Sequence, residues 1–182
     1  MLAAETNVVA IPQATGSPPK SSVEWEEILE AADPFLKSVG KRLIAQAREF
    51  EPEILPFAEY ALSSNGKQLR PLLVWLSGSA SGKINDDHVA VAVIIEMVHL
   101  ATLVHDDIMD EADLRRNRRT ASREYGAEAA VLLGDALFSH ALNLATQFPT
   151  TEVCAAVSES TRKVSAIMRR SCRRLTRLSS PT

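Results

Sequence analysis

The sequence predicts an all-α protein, on three observations. Of its 182 residues 46% are hydrophobic but only 5% aromatic, whereas a β-sandwich draws more heavily on aromatic and β-branched residues. Apolar residues recur at helical spacing, as in Phe35, Leu36, Val39, Leu43, Ile44 and Ala47. Prolines and turn residues punctuate the chain between such stretches. The length suffices for one domain with a sizeable core.

Residues 1–22 end in TGSPPKSS, show no periodicity and read as a disordered leader. Ser22 stands before VEWEEILEAADPFL as a helix start with acids in the first turn. Pro34 is expected to break or kink that helix, with the stripe from Phe35 to Ala47 following it. Pro52 and Pro56 mark the next join, and Ile54 to Leu62 reads as a short helix. Ser63-Ser64-Asn65-Gly66 is a turn signal. Pro71 then sits in the first turn of a buried helix, PLLVWLSGSASG. Asn85-Asp86-Asp87 should start a helix running to about Asp113, followed by a loop, RRNRRTASREYG. A helix over 127–148 closes at Pro149-Thr150, and one more begins at residue 151. The domain is therefore placed at 23–167, and 168–182, rich in arginine without an acid, reads as an exposed basic tail or as sequence foreign to the domain.

Composition excludes several classes. A formal net charge of −3 offers no whole-molecule attraction to nucleic acid or anionic membrane. Cys154 and Cys172 are too few for a disulfide framework or a zinc site. No secretory signal is evident, and Lys20 is the single basic residue in 1–22. The longest apolar run, Val89 to Val104, is interrupted by Glu96 and His99 and is short for a bilayer span. A soluble, cytoplasmic protein is the expectation.

The chain is organised around Glu96–Arg119, EMVHLATLVHDDIMDEADLRRNRR. On a helix Asp106 and Asp110 are i and i+4 and leave the same face, beside Asp107. Carboxylates so close repel and raise each other's proton affinity. A cation relieves that penalty, and Mg²⁺ is commonly held by one or two carboxylates together with substrate phosphates. Arg115 and Arg116 are of the type that grips phosphate through paired hydrogen bonds. His99, two turns before Asp106, points to a polar contact in the same cavity; His105, Glu111 and Asp113 read as structural or helix-end groups. Gly66-Lys67-x-x-Arg70-Pro71 presents two cations from a glycine turn, either as a second phosphate clamp or as ordinary surface charges. An RNA patch is a poor reading of the arginines, since Tyr125 is the single aromatic near them.

These residues resemble the trans-isoprenyl diphosphate synthases, or polyprenyl synthetases. The resemblance lies in GKQLRP at 66–71, EMVHLATLVHDDIMDEADLRR at 96–116 and VLLGDALF at 131–138. It implies antiparallel helices around a central cavity, the isoprenoid synthase fold. It implies that Asp106 and Asp110 ligate Mg²⁺ on an allylic diphosphate, with Asp107 in support, and that Arg115 contacts the same diphosphate. Lys67, Arg70, His99 and Arg116 would hold isopentenyl diphosphate. Ala101 and Thr102 would set product length; bulky aromatics there block the tail in this family, so a medium or long polyprenyl product is expected. A homodimer or heteromer is the expected assembly. Asn117 and Arg119 depart from the Gly and Pro usual at those positions. The family's second aspartate-rich motif has no counterpart, which suggests truncation or a shifted reading frame near residue 168. Such a chain is expected to be inactive alone, or to act as the non-catalytic subunit of a heteromer. A phosphohydrolase of the HD type, prompted by His99 and His105-Asp106, would want a further upstream His-Asp constellation, which is absent.

Overall fold

The structure, a computed structural model, describes residues 22–63, 66 and 68–164. Residues 1–21 of the expected leader, Lys67 and the expected basic tail lie outside the described residues. Contacts divide the chain into two units at Ala31/Ala32. Of the first, the described part is the helical stretch 22–31. Everything below concerns the second.

The described elements are α1 (Ser22–Ala47), α2 (Leu55–Leu62), α3 (Leu69–Ser81), α4 (Asp86–Met109), β1 (Leu114–Arg115), β2 (Arg118–Arg119), α5 (Ala121–Tyr125) and α6 (Ala127–Thr146). A further helix, α7, covers 152–164. The predicted all-α class is the observed one. Of the break or kink expected at Pro34, the break is corrected, because α1 runs through it. A proline inside a helix costs about 3 kcal/mol. Burial of Phe35, Val39, Leu43 and Ala47 along the following turns opposes that cost.

The core forms where α4 meets α6, its most extensive partner, and α3, its next. Ile94 and Met97 of α4 and Leu133 and Leu137 of α6 are among the largest fully buried side chains. Gly134 lets the two helices close, since a Cβ there would collide with the His105 imidazole. His105 Nε2 lies 3.4 Å from the Val131 carbonyl oxygen and 3.5 Å from Asp135 Oδ1, the packing role expected of it. By length and hydropathy α4 and α6 are both long and apolar enough to cross a membrane. That corrects the view that no segment here is.

Both ends of α4 are explained locally. Asn85 caps its start reciprocally with His88: the His88 amide donates to Asn85 Oδ1 and the Asn85 amide to His88 Nδ1, each at 3.3 Å. The far end comes at Met109, four residues before the expected Asp113. Glu111 takes the left-handed conformation, φ 48°. Its amide donates to the Ile108 carbonyl at 3.2 Å, and the Ala112 amide to that of Asp107 at 2.9 Å. This is a Schellman close with glutamate where glycine is usual, so the sequence carries no stop signal there.

The expected loop after α4 is also corrected. Leu114 pairs with Arg119 and Arg115 with Arg118 in a two-strand hairpin. Arg116 and Asn117 form its tip with φ of 52° and 61°, positive at both central residues as a type I′ turn requires. Thr120, 2% exposed, then caps α5 through the Arg123 amide and donates its own hydroxyl to the Ala112 carbonyl at 2.7 Å. The helix α3 is buried on one face only: Pro71, Leu72 and Gly78 are covered, whereas Leu69 and Leu73 are exposed.

Candidate functional site

The last turn of α4 sets out the three aspartates differently. Asp107 turns inward, 5% exposed. The hairpin brings Arg115 back over it: Arg115 Nε donates to both Asp107 carboxylate oxygens at 2.9 Å, and Nη2 donates to Oδ1 at 2.7 Å. That pairing raises the Arg115 guanidinium pKa, the bond to Asp107 being the main cause. Asp106 is half-buried and Asp110, the cap residue, is exposed. The Asp106 carboxyl is pushed up, first by burial, then by Asp110; Arg115 opposes this, and Asp107 adds a smaller push upward. With Asp107 committed to Arg115, Asp106 and Asp110 are left as two mutually repelling carboxylates.

A second cluster lies two turns earlier on α4. Glu96, His99, Leu100 and Leu103 wall a cavity of roughly 600 Å³ together with Gly66, Gln68, Arg70 and Arg116. Its polar lining comes from the turn before α3, the start of α3, α4 and the hairpin tip, and Gly40, Leu43 and Ile44 of α1 and Leu62 of α2 complete the wall. Gly66 lies directly against the Arg116 guanidinium, which a Cβ on it would have to displace. Gln68, φ 47°, caps α3 without a side-chain bond, so the amides opening α3 are available near the same cavity.

His99 is held neutral in this cationic setting. Its pKa falls from 6.5 to about 4, mainly through burial and then through Arg70, Arg115 and Arg116. A histidine lowered in the folded state binds its proton first in the unfolded chain. Stability is therefore present above pH ~6.5 and falls on acidification toward pH ~4. A diphosphate bound in this cavity would offset the arginine charge and raise the His99 pKa. At about pH 5.5 binding of pyrophosphate should take up more protons in the native protein than in His99→Gln, measured by calorimetry in buffers of different ionisation enthalpy. Equal uptake by the two proteins refutes the assignment.

A neighbouring cavity of roughly 260 Å³ lies between α2, α4 and the hairpin. Leu100, Leu103 and Val104 form its floor, with Asp107, Arg115, Arg116 and Tyr60 around it. Leu100, Leu103 and Arg116 belong to both cavities.

The structure thus brings Arg70, His99 and Arg116 into one cavity and sets Asp107 and Arg115 in the wall of the next. Asp106 and Asp110 lie at the end of α4 that carries Asp107. Lys67 is outside the described residues, although Gly66 and Gln68 both line the larger cavity. Ala101 is buried in the core, and the Thr102 hydroxyl donates to the His99 carbonyl at 2.7 Å. Neither lines these two cavities, whose apolar walls come from Leu100, Leu103 and Val104 instead. Sequence reasoning missed Glu96 as a site residue. It stands three residues before His99, the helical spacing that puts both on one face. Its carboxyl is pushed up by burial, against the pull of Arg70 and Arg116.

Among the described residues no group of three or more His, Cys, Asp or Glu is placed to hold a metal ion. The two carboxylates of Asp106 and Asp110 fit a hard cation that takes its other oxygens from water and a phosphate.

A model of the polyprenyl synthetase family matches residues 51–166. Octaprenyl diphosphate synthase of Haemophilus influenzae is 33% identical over 136 residues, covering 75% of this chain and 41% of that protein. The crystal structure of a decaprenyl diphosphate synthase from Rhodobacter capsulatus aligns with TM-score 0.71 and 29% identity, over 78% of this chain and 44% of that one. Polyprenyl synthase from Caulobacter crescentus, complexed with calcium and isoprenyl diphosphate, aligns with TM-score 0.72 and 30% identity, over 81% and 45%. The chain therefore spans less than half the length of these relatives.

Proposed function

The chain belongs to the polyprenyl synthetase family, and from that premise we propose that it carries the diphosphate-binding half of a prenyltransferase site. The observation that carries the reading is the convergence of Gly66, Arg70, His99 and Arg116 on one cavity wall. That cavity would take isopentenyl diphosphate. The aspartates at the end of α4, with Arg115, would face the diphosphate of an allylic co-substrate.

Asp106 and Asp110 would hold Mg²⁺, which when bound would neutralise charge gathering on a departing diphosphate. The other contributions come from the chain's own groups. Arg115, held flat by Asp107, keeps a fixed guanidinium beside the leaving oxygens, so stabilisation needs no reorganisation as charge develops. Arg70 and Arg116 grip the second diphosphate and set the double bond of isopentenyl diphosphate next to the allylic carbon. Neutral His99 adds a hydrogen bond without a further charge. Leu100 and Leu103 keep water from the reacting carbons, where it would capture an allylic cation. Proton loss to the released diphosphate would complete one condensation. A medium or long product, with Ala101 and Thr102 setting its length, is proposed on the family resemblance, and a homodimer or heteromer as the assembly.

Calorimetry on the chain tests this directly. Isopentenyl diphosphate should bind without a divalent cation, through the arginine cavity. Farnesyl diphosphate should bind only when Mg²⁺ is added. A chain that folds but binds neither excludes the reading.

A further inference from the structure

The hairpin that presents Arg115 and Arg116 is not held by its own two-residue strands. Two-strand ribbons are marginal alone, and this one has Arg116, without a glycine's freedom, at φ 52°. What fastens it is α2. The Tyr60 hydroxyl donates to the Arg119 carbonyl oxygen at 2.7 Å. The Tyr60 ring lies under the Arg118 guanidinium, 3.8 Å from centroid to Cζ. Arg118 Nη1 also donates to Ser63 Oγ at 3.0 Å. The same ring meets Tyr125 edge-on at 5.2 Å, and Tyr125 meets Phe57 at 4.6 Å. The contacts of Tyr60 and Ser63 with Arg118 and Arg119 fall on β2 and the aromatic contacts on Tyr125 at the end of α5, whereas the site residues are on β1 and the tip. Because Arg115 is paired with Arg118 and Leu114 with Arg119, fixing β2 fixes β1.

The geometry points to Tyr60 as a positioning residue for the arginine pair. Its hydroxyl acts through the hairpin, setting the plane in which Arg115 meets Asp107 and Arg116 lies over Gly66. Since α2 runs within four residues of Gly66, one helix then registers both sides of the phosphate-binding wall. The inference rests on the function proposed above for its consequence, but not for its geometry.

The test is Tyr60→Phe in the full chain, which keeps the ring under Arg118 and removes only the hydroxyl. Two measurements are made on it. The first needs no ligand: solvent exchange of the Arg115 Nε–H, observed by nitrogen-edited NMR. In the native protein the bidentate bond to Asp107 protects it; in Tyr60→Phe that protection should drop at least about fivefold, the worth of one hydrogen bond, with helical content unchanged. The second is pyrophosphate affinity, expected to weaken about fivefold to tenfold in Tyr60→Phe. It should not weaken further when the substitution is added to the Arg115→Ala/Arg116→Ala double variant, since a residue acting through the pair has nothing left to position. Unchanged Arg115 protection overturns the inference, as does an affinity loss that simply adds to that of the Arg115→Ala/Arg116→Ala double variant. If Tyr60→Phe loosens Arg115 but the native chain binds no pyrophosphate, the positioning role stands and the proposed function falls. Should Tyr60→Phe not fold, Ser63→Ala, which removes the acceptor of Arg118 and the bond that the Ser63 hydroxyl donates to the Tyr60 carbonyl, must lower the protection by a smaller factor; no change there refutes the inference.

Discussion

Asp106→Asn is expected to reduce Mg²⁺-dependent affinity for an allylic diphosphate by about 100-fold while leaving the cation-free protein at least as stable as before. Both halves follow from the end of α4. Removing one of two carboxylates takes away a unit charge at coordination distance, worth several kcal/mol even at an effective dielectric constant of about 20. The same charge is a burden on the fold. Burial first, then Asp110, pushes the Asp106 carboxyl pKa above its ordinary value. An acid raised in the folded state costs stability once pH exceeds its unfolded pKa, and the full cost is present above the folded value. Asparagine removes that cost at neutral pH. Thermal unfolding of the two proteins without divalent cation, followed by calorimetry with and without Mg²⁺, checks both signs. A destabilised Asp106→Asn, or retained Mg²⁺-dependent binding, contradicts the account.

Asp107→Ala should act in the opposite direction on stability. Its carboxylate accepts three bonds from Arg115 and is nearly enclosed, whereas the Arg115 side chain is 40% exposed. Arg115 can therefore rehydrate in part, and the loss is about 2 kcal/mol rather than that of a fully buried pair. In a chain this long that corresponds to a melting midpoint lower by about 4–8 °C. Binding should suffer too, because an untethered Arg115 pays its own ordering cost when it meets a phosphate. Asp107→Asn keeps one acceptor and should fall between. Equal midpoints for the native and Ala proteins would mean that the pair contributes nothing to the fold.

Much of this arrangement can be read from the chain before any coordinates. The apolar period over 86–109 and 127–146 gives α4 and α6 because their buried stripes are long and uninterrupted by turn residues. Asn85 announces its own cap. The misreadings have identifiable sources. Helix α4 ends early because Glu111 accepts a left-handed conformation that glycine would have advertised. The hairpin is hidden because its tip is Arg-Asn rather than Asn-Gly, and type I′ turns are recognised by their glycine. The partnership of Asp107 with Arg115 depends on that hairpin, so it could not be deduced from an eight-residue separation along the chain. Glu96 was passed over because an acid interrupting an apolar run reads as a blemish in the run, although its spacing from His99 was visible. The two positions expected to govern product length come from family resemblance alone, and the cavities described here are walled by their neighbours.

Leu100, Leu103 and Arg116 form a party wall between two rooms. Whatever trims or thickens that wall is felt on both sides at once. Drift at these three positions is therefore checked twice, and a newcomer acceptable to one occupant must also suit the other. A residue that faces a single room and lies outside the core, such as Gln68, has more latitude to vary.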